Sequence, residues 1–157
     1  MDQKQPITQT GMANVQSELE KLIKVDREEI KKTIAEAREH GDLKENAEYH
    51  AAKEKQSIIE GRISKLQGVV ANSQVIDTAS ITSETIVFGA TVTLLDEEGE
   101  EVIYQIVGQE ESDLTKGKIS FQSPIGKALL GKSEGDTVVV KAPKGDIEYE
   151  VDSFEFK

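Results

Sequence analysis

The sequence predicts an α+β protein, in which an N-terminal antiparallel helical hairpin precedes a C-terminal, mostly antiparallel β domain with one short helix. Apolar residues recur every three or four positions through most of residues 12–70, as on the buried stripe of a helix. Beyond Asn72 they alternate in short runs separated by turns that contain glycine, as in antiparallel strands. Charge is uneven too: residues 1–77 hold 12 basic and 14 acidic side chains, and residues 78–157 hold 7 and 16. We therefore predict two domains, 1–77 and 78–157.

The first arm of the predicted hairpin covers residues 12 to about 40, a stretch that contains no proline or glycine. Its apolar or small residues follow one face, with Asp26 as a polar break in the stripe: Met12, Val15, Leu19, Leu22, Ile30, Thr33 or Ile34, and Ala37. A helix of this length spans about 43 Å. It needs a partner to bury its stripe.

The second arm supplies that partner, with a similar stripe interrupted at Gln56: Ala52, Ile59, Ile63, Leu66 and Val70. Gly41 stands where a glycine commonly ends a helix. Only a few residues separate the two arms, which makes them antiparallel neighbours. Gly61, inside the second arm, costs about 1 kcal/mol relative to alanine, and the sequence offers no reason for it.

The second half of the chain contains two hairpin signals. The first pairs residues 91–95 with 102–107 around an acidic turn at 96–100, and the second pairs 137–141 with 147–156. Between them, residues 118–121 form a short strand candidate and 124–130 a short helix candidate. This pattern predicts a small, mostly antiparallel β domain.

Composition excludes several classes of function. The chain has no cysteine and therefore no disulfide, thiolate metal site or cysteine nucleophile. A net charge of −11 disfavours a generic nucleic-acid-binding protein, which needs clustered Lys and Arg. Residues 1–6 lack the apolar core of a signal peptide, and no apolar run has the length of a membrane span. We expect a cytoplasmic protein with no membrane partner, monomeric when free.

The segment between the arms carries two carboxylates, Asp42 and Glu45, at an acidic tip spanning residues 41–46. One interpretation is a capping box, with Asp42 as the N-cap of the second helix and Glu45 three residues later. The other is that both carboxylates meet a divalent cation. Mg²⁺ demands near-octahedral oxygen ligation, so two carboxylates form half a site, and a partner protein would have to supply the rest.

Residues 34–54 read Ile-Ala-Glu-Ala-Arg-Glu-His-Gly-Asp-Leu-Lys-Glu-Asn-Ala-Glu-Tyr-His-Ala-Ala-Lys-Glu. This segment closely resembles the signature of the bacterial Gre transcript-cleavage factors, most closely the GreA branch of that family. The match continues through residues 60–63, 72–77, 88–92, 104–108 and 123–132, and so covers nearly the whole chain. The resemblance implies a coiled-coil hairpin followed by a C-terminal domain like that of FK506-binding proteins.

The resemblance also implies a function. Members of this family bind backtracked bacterial RNA polymerase, with the C-terminal domain at the rim of the secondary channel and the hairpin inside it. The tip acids, here Asp42 and Glu45, help to hold a Mg²⁺ ion shared with the polymerase, which then cleaves its own transcript. The implied factor is not an enzyme by itself and binds no cofactor when free. Its partners are RNA polymerase and the 3′ end of the nascent RNA.

Further site residues follow from the same resemblance. Arg38 and Lys53 match basic positions that contact the extruded RNA, and Ser123, Pro124 and Ile125 match a loop that faces the polymerase. From the residues alone, Arg38 and Lys53 are best explained as solvated partners of the neighbouring Glu39 and Glu54. Likewise, Ser123 to Ile125 could simply open a helix.

Four alternatives remain. Residues 126–133 satisfy the expression of a nucleotide-binding P-loop, although a helix and then a strand occupy the wrong places. His40 and His50 could join Asp42 or Glu48 at a zinc site. The C-terminal domain could be a prolyl isomerase, although its aromatic residues are few and scattered. Finally, the chain could resemble a sister protein of the family, one that enters the channel and modulates the polymerase without stimulating cleavage.

Overall fold

The computed structural model describes residues 4–157, so residues 1–3 of the predicted first domain lie outside the described part. The described residues form two compact units, one of residues 12–72 and the other of residues 4–11 together with 73–157. The predicted division lay between residues 77 and 78. The segments 4–11 and 73–77, placed in the first domain by the sequence analysis, instead belong to the unit that contains the C-terminal half.

The predicted helical hairpin is confirmed. Its first arm comprises α1 (Gln9–Lys21), a π-helical turn (Leu22–Asp26) and α2 (Arg27–Arg38), with helical backbone angles at both junctions. Its second arm is α3 (Ala47–Asn72). The first arm ends at Arg38 rather than near His40.

The π-helical turn explains the polar break that the sequence shows at Asp26. The stripe advances from Leu22 to Asp26, Ile30 and Ile34 in three successive steps of four, which is one residue more than a steady three-and-four pattern allows. A π-helical turn accommodates an extra residue. Leu22, Ile30 and Ile34 therefore all stay buried on one face.

Buried aliphatic residues of both arms form the core of the hairpin, and ion pairs join the arms at its surface. The buried side chains include Ile30, Ile34, Ala37, Ala52, Ile59, Ile63 and Leu66. Arg27 forms a two-pronged pair with Glu60, at 2.9 Å for each contact, and Arg62 forms another with Glu18, at 2.7 and 2.9 Å. The hydrogen bond from Arg62 holds the pKa of Glu18 below its usual range.

The second unit contains a two-stranded parallel sheet that the sequence analysis did not predict. Strand β1 (Gln5–Thr8) pairs with β2 (Ser73–Ile76), in a register that places Gln5 opposite Ser73 and Thr8 opposite Ile76. These strands directly precede α1 and follow α3. The chain therefore enters and leaves the helical hairpin through paired strands.

The rest of this unit is a five-stranded mixed sheet in the order β5-β4-β3-β7-β6. Its strands are β3 (Ala90–Leu95), β4 (Glu101–Val107), β5 (Lys118–Ser120), β6 (Thr137–Ala142) and β7 (Gly145–Phe156). All neighbours are antiparallel except β4 and β5. Both predicted hairpins are present, as is the predicted short helix, α4 (Pro124–Leu129). The predicted α+β fold class is therefore confirmed.

One face of this sheet packs on a core that includes Ile86, Val92, Leu94, Ile106 and Leu129, all fully buried. The aromatic residues considered for a prolyl isomerase pocket pack mainly around that core: Tyr104, Phe121, Tyr149, Phe154 and Phe156. Phe88 contacts Phe121 edge to face, with 5.9 Å between ring centroids. Within residues 4–157, no helix combines the length and the hydropathy that crossing a membrane requires.

Candidate functional site at the hairpin tip

The tip loop connects Arg38 of α2 to Ala47 of α3, and its residues 41–45 are all exposed. The last turn closes with a hydrogen bond from the His40 N–H to the Ala37 carbonyl at 3.2 Å. Gly41 follows with φ at +126°, a conformation that side-chain-bearing residues rarely adopt. This glycine turns the chain away from the first arm and begins the loop that carries both acids.

Asn46, rather than Asp42, is the N-cap of the second helix. Its side-chain oxygen accepts a hydrogen bond from the Tyr49 N–H at 3.1 Å, the third residue of α3. Its side-chain NH₂ group donates across the hairpin to the Ala37 carbonyl at 2.6 Å. The same amide therefore starts α3 and ties it to the end of α2.

The predicted capping box at Asp42 and Glu45 is wrong, because α3 begins after both residues. Asp42 instead closes a local turn, in which its Oδ1 atom accepts a hydrogen bond from the Lys44 N–H at 3.0 Å. Glu45 precedes the cap and has an exposed side chain. Neither carboxylate is consumed in starting the helix, which leaves both free to meet a ligand.

The two carboxylates border one open depression at the end of the hairpin. His40, Asp42, Glu45, Asn46 and Glu48 contribute to its lining. Carboxylate oxygens are the donors that Mg²⁺ prefers, so Asp42 and Glu45 fit such an ion chemically. In the described chain, no three His, Asp or Glu side chains are arranged to hold a metal.

The zinc hypothesis for His40 and His50 therefore lacks its ligand set. The Nε2 atom of His50 lies 3.0 Å from the Lys44 carbonyl oxygen, inside the tip loop. The ring of His50 also meets the ring of Tyr49 edge to face, with 5.7 Å between centroids. His50 contacts the backbone of the loop that bears the acids.

The two basic residues implicated in RNA contact lie near the tip. The Arg38 guanidinium lies over the Tyr49 ring, 5.8 Å from its centroid. Lys53 follows Tyr49 by four residues, so both occupy the same face of α3. Lys53 donates to the Gln56 side chain at 3.2 Å. The partners that the structure shows are therefore Tyr49 and Gln56, rather than Glu39 and Glu54.

Ser123, Pro124 and Ile125 open helix α4 in the other unit. The Ser123 hydroxyl accepts from the Gly126 N–H at 3.1 Å and donates to the Ser120 carbonyl at 2.6 Å, so it is an N-cap. Pro124 occupies the first helical position and is exposed, while Ile125 packs partly against the core. The local role of these residues as the start of a helix is confirmed.

The P-loop alternative at residues 126–133 is wrong, because helix α4 lies where the phosphate-binding loop would be. Leu129, in the middle of the motif, is fully buried in the core. The Gly131 N–H donates to the Ile86 carbonyl at 2.8 Å, and the Lys132 N–H donates to the Leu129 carbonyl at 3.1 Å. Backbone donors that would hold a phosphate are engaged within the fold.

Asn46 was not recognised as the cap from the sequence, and His50 was considered only as a zinc ligand. A signal for Asn46 was present, since asparagine is among the strongest N-cap residues and an acidic residue, Glu48, follows in the first helical turn. His50 had no comparable signal. Its partner is a backbone carbonyl six residues earlier, which only the folded loop brings near.

Comparison with known proteins agrees with this architecture. A family model described as "Transcription elongation factor, N-terminal" matches residues 5–75, and one described as "Transcription elongation factor, GreA/GreB, C-term" matches residues 81–156.

Individual relatives agree with the family models. The chain is 55% identical to Transcription elongation factor GreA of Anaeromyxobacter sp. (strain K), over 98% of this chain and 93% of that protein. It is 53% identical to the GreA protein of Rhodospirillum rubrum, over 98% and 99% of the two chains. Among solved structures, GreA factor homolog 1 of Thermus thermophilus is 29% identical over 98% and 99%, with a TM-score of 0.46. The chain belongs to the GreA/GreB family of transcription elongation factors.

Proposed function

We propose that this chain enters the secondary channel of backtracked RNA polymerase and stimulates the polymerase's own Mg²⁺-dependent cleavage of the nascent RNA 3′ end. The observation that carries the proposal is the placement of Asp42 and Glu45 in an exposed loop at the end of a two-helix hairpin. Cleavage releases the displaced 3′ end and lets elongation resume. Such a factor acts in the cytoplasm, with the polymerase and its transcript.

The hairpin is long enough to carry its tip loop deep into a channel of another protein. Helix α3 alone has 26 residues and spans about 39 Å at 1.5 Å per residue. Two cross-arm ion pairs, Arg27 with Glu60 and Arg62 with Glu18, brace its surface. These features support a rigid element that carries its tip into another protein.

The tip acids suit a shared metal site. Two carboxylates are too few for a complete Mg²⁺ site, so the polymerase would supply the remaining ligands. When bound, the shared ion stabilises charge on the attacking and leaving oxygens of the phosphodiester. Asp42 keeps one carboxylate oxygen beyond its bond to Lys44, and Glu45 keeps its whole carboxylate available to hold the ion or orient a water molecule. The factor therefore contributes ligands and is not an enzyme by itself.

The basic residues near the tip support a contact with the extruded RNA. Arg38 at the end of α2, held over the Tyr49 ring, and Lys53, one helical turn beyond Tyr49 on α3, place two positive charges on the arms near the tip loop. Phosphate groups bind Arg and Lys through charge-assisted hydrogen bonds. We propose that this face guides the RNA 3′ end toward Asp42 and Glu45.

The start of α4 is the proposed contact with the rim of the channel. Pro124 presents an exposed ring at the first helical position, and Ser123 fixes the backbone there. Its capping role and its proposed docking role are compatible. The cap orders the loop before the polymerase meets it.

The decisive variant neutralises both tip acids while preserving the turn. In Asp42→Asn/Glu45→Gln, the asparagine oxygen still accepts from the Lys44 N–H, and α3 keeps its cap at Asn46. We expect unchanged thermal stability and polymerase binding. We also expect cleavage of backtracked RNA to fall about 100-fold or more, since several kcal/mol of charge stabilisation is lost.

Glu36→Gln/Glu54→Gln is the matched control, because it removes the same charge from exposed positions on the arms. It should cleave like the wild-type protein. Wild-type cleavage by the tip variant would show that the acids hold no metal. A wild-type protein that binds backtracked polymerase without stimulating cleavage would instead identify a modulator of the channel.

A further inference from the structure

We propose that His50 is a positioning residue that holds the tip acids in the arrangement needed to share a metal ion. This inference rests on the proposed function. Its basis is the contact between the His50 Nε2 atom and the Lys44 carbonyl oxygen, at 3.0 Å. Lys44 lies between the acids, one residue before Glu45 and two after Asp42.

The two hydrogen bonds at Lys44 fix the backbone on both of its sides. Its N–H, part of the peptide unit shared with Leu43, donates to Asp42. Its carbonyl, part of the peptide unit shared with Glu45, meets His50. Both peptide planes that flank the Lys44 Cα atom are therefore held. The direction in which the Glu45 side chain leaves the loop is set relative to Asp42.

His50 can perform this role because it stands on a rigid element. It lies in the first turns of α3, four residues after the Asn46 cap, and its own N–H bonds to the Asn46 carbonyl at 3.1 Å. The Tyr49 ring lies against the imidazole edge to face. The first turns of α3 and the Tyr49 ring thus orient the His50 imidazole, and the imidazole in turn holds the tip loop at the Lys44 carbonyl.

The chemistry of the contact identifies the donor. A carbonyl oxygen only accepts hydrogen bonds, so the Nε2 atom of His50 carries the hydrogen. Both the neutral Nε2–H tautomer and the imidazolium satisfy this requirement. Because the contact is exposed, water competes for the carbonyl when the ring is lost. Loss of the bond should therefore loosen the tip loop without unfolding the protein.

Three substitutions at one position separate the donor from the ring. His50→Gln places an amide NH₂ near the Nε2 position and keeps the donor. His50→Asn keeps an amide but is too short to reach Lys44, and His50→Phe keeps an aromatic ring without a donor. The first readout is the ¹⁵N heteronuclear NOE of Lys44 and Glu45 in the free protein. The second is the Mg²⁺ concentration that half-saturates stimulated cleavage by polymerase.

If the His50 donor holds the loop, the Phe and Asn variants should behave alike. Both should lower the NOE at Lys44 and Glu45, and both should raise the half-saturating Mg²⁺ concentration about tenfold or more, as loss of a group that orients metal ligands does. His50→Gln should remain near wild type in both measurements. Binding to polymerase and the melting temperature should be unchanged in all three.

Two results would overturn the inference: wild-type order and Mg²⁺ dependence in His50→Phe, or an equal loss in all three variants. The second result would assign the effect to the imidazole itself rather than to its donor. Failure of the wild-type protein to stimulate cleavage would overturn the proposed function instead. The NOE measurement would then still decide whether His50 orders the tip.

Discussion

At the scale of single residues, the side-chain amide of Asn46 connects the two arms at the tip, and neither acid does so. Asn46 accepts from the Tyr49 N–H and donates to the Ala37 carbonyl, so its two ends satisfy groups on different arms. Asp42 bonds only within its own turn, to the Lys44 N–H. Asn46 thus joins the start of α3 to the end of α2, and neither acid is needed for that connection.

Two substitutions at Asn46 should separate its two bonds. Asn46→Ala removes both and should lower the free energy of unfolding by about 2 kcal/mol, from a lost helix cap and a lost hydrogen bond between the arms. Asn46→Asp keeps the cap oxygen and loses the donor, so about half of that loss is expected. Urea unfolding followed by helical circular dichroism measures both. Equal losses in the two variants would show that the cap contributes nothing.

The site illustrates what a sequence can predict at this scale. The exposed position of Asp42 and Glu45 followed from Gly41 and from the end of the first stripe of apolar residues. The wrong cap had a physical cause, because Asp42 and Asn46 are both good N-cap residues. The choice between them depends on the bond from Asn46 to Ala37, nine residues away and on the other arm. That bond exists only once the hairpin has formed.

At the scale of elements, periodicity predicted the helices and strands well. The ends of the strands and of α4 agree within two residues, whereas the second arm begins at Ala47 rather than after a cap at Asp42. The two arms, both β-hairpins and α4 were predicted, because each has a local apolar pattern. The pairing of β1 with β2 was not, because it joins four-residue strands that are 68 positions apart. The π-helical turn at Leu22–Asp26 left only an indirect trace, an extra residue in the stripe.

Gly61 and Gly126 are both helical glycines, and substituting each with alanine should have opposite effects. A Cβ atom at Gly61 would have no neighbour within 4 Å, so Gly61→Ala should raise the free energy of unfolding by about 1 kcal/mol. A Cβ atom at Gly126 would collide with the Ser120 carbonyl oxygen, so Gly126→Ala should lower it by about 1–3 kcal/mol. Chemical denaturation measures both. Destabilisation by Gly61→Ala would mean that the helix needs glycine there for a reason beyond space.

At the scale of the whole molecule, Glu111 joins two segments that lie 103 positions apart in the sequence. Its carboxylate accepts from the Thr8 N–H at 3.0 Å and from the Gly108 N–H at 2.9 Å, and it also contacts the Thr8 hydroxyl. That hydroxyl in turn accepts from the Gly11 N–H at 3.0 Å, at the start of α1. The partly buried Glu111 carboxylate thus links β1, the strand that leads into the hairpin, to the end of β4.

Gly11 makes this fastening possible, because a Cβ atom there would overlap the Glu111 carboxylate. Glu111→Ala should lower the free energy of unfolding by about 2–3 kcal/mol, since it leaves the Thr8 and Gly108 N–H groups unpaired. Gly11→Ala should also destabilise the wild-type protein. In the Glu111→Ala background the overlap is gone, and the same substitution should be neutral or stabilising by up to about 1 kcal/mol, as alanine is in a helix.

A double-mutant cycle in urea tests this reversal of sign. Glu98→Ala, at an exposed turn, replaces Glu111→Ala as the control and should leave the cost of Gly11→Ala unchanged. If Gly11→Ala cost the same with Glu111 present or absent, the two residues would act independently. The cost of Gly11→Ala would then not arise from the overlap with the Glu111 carboxylate, and the need for glycine at this position would have another cause.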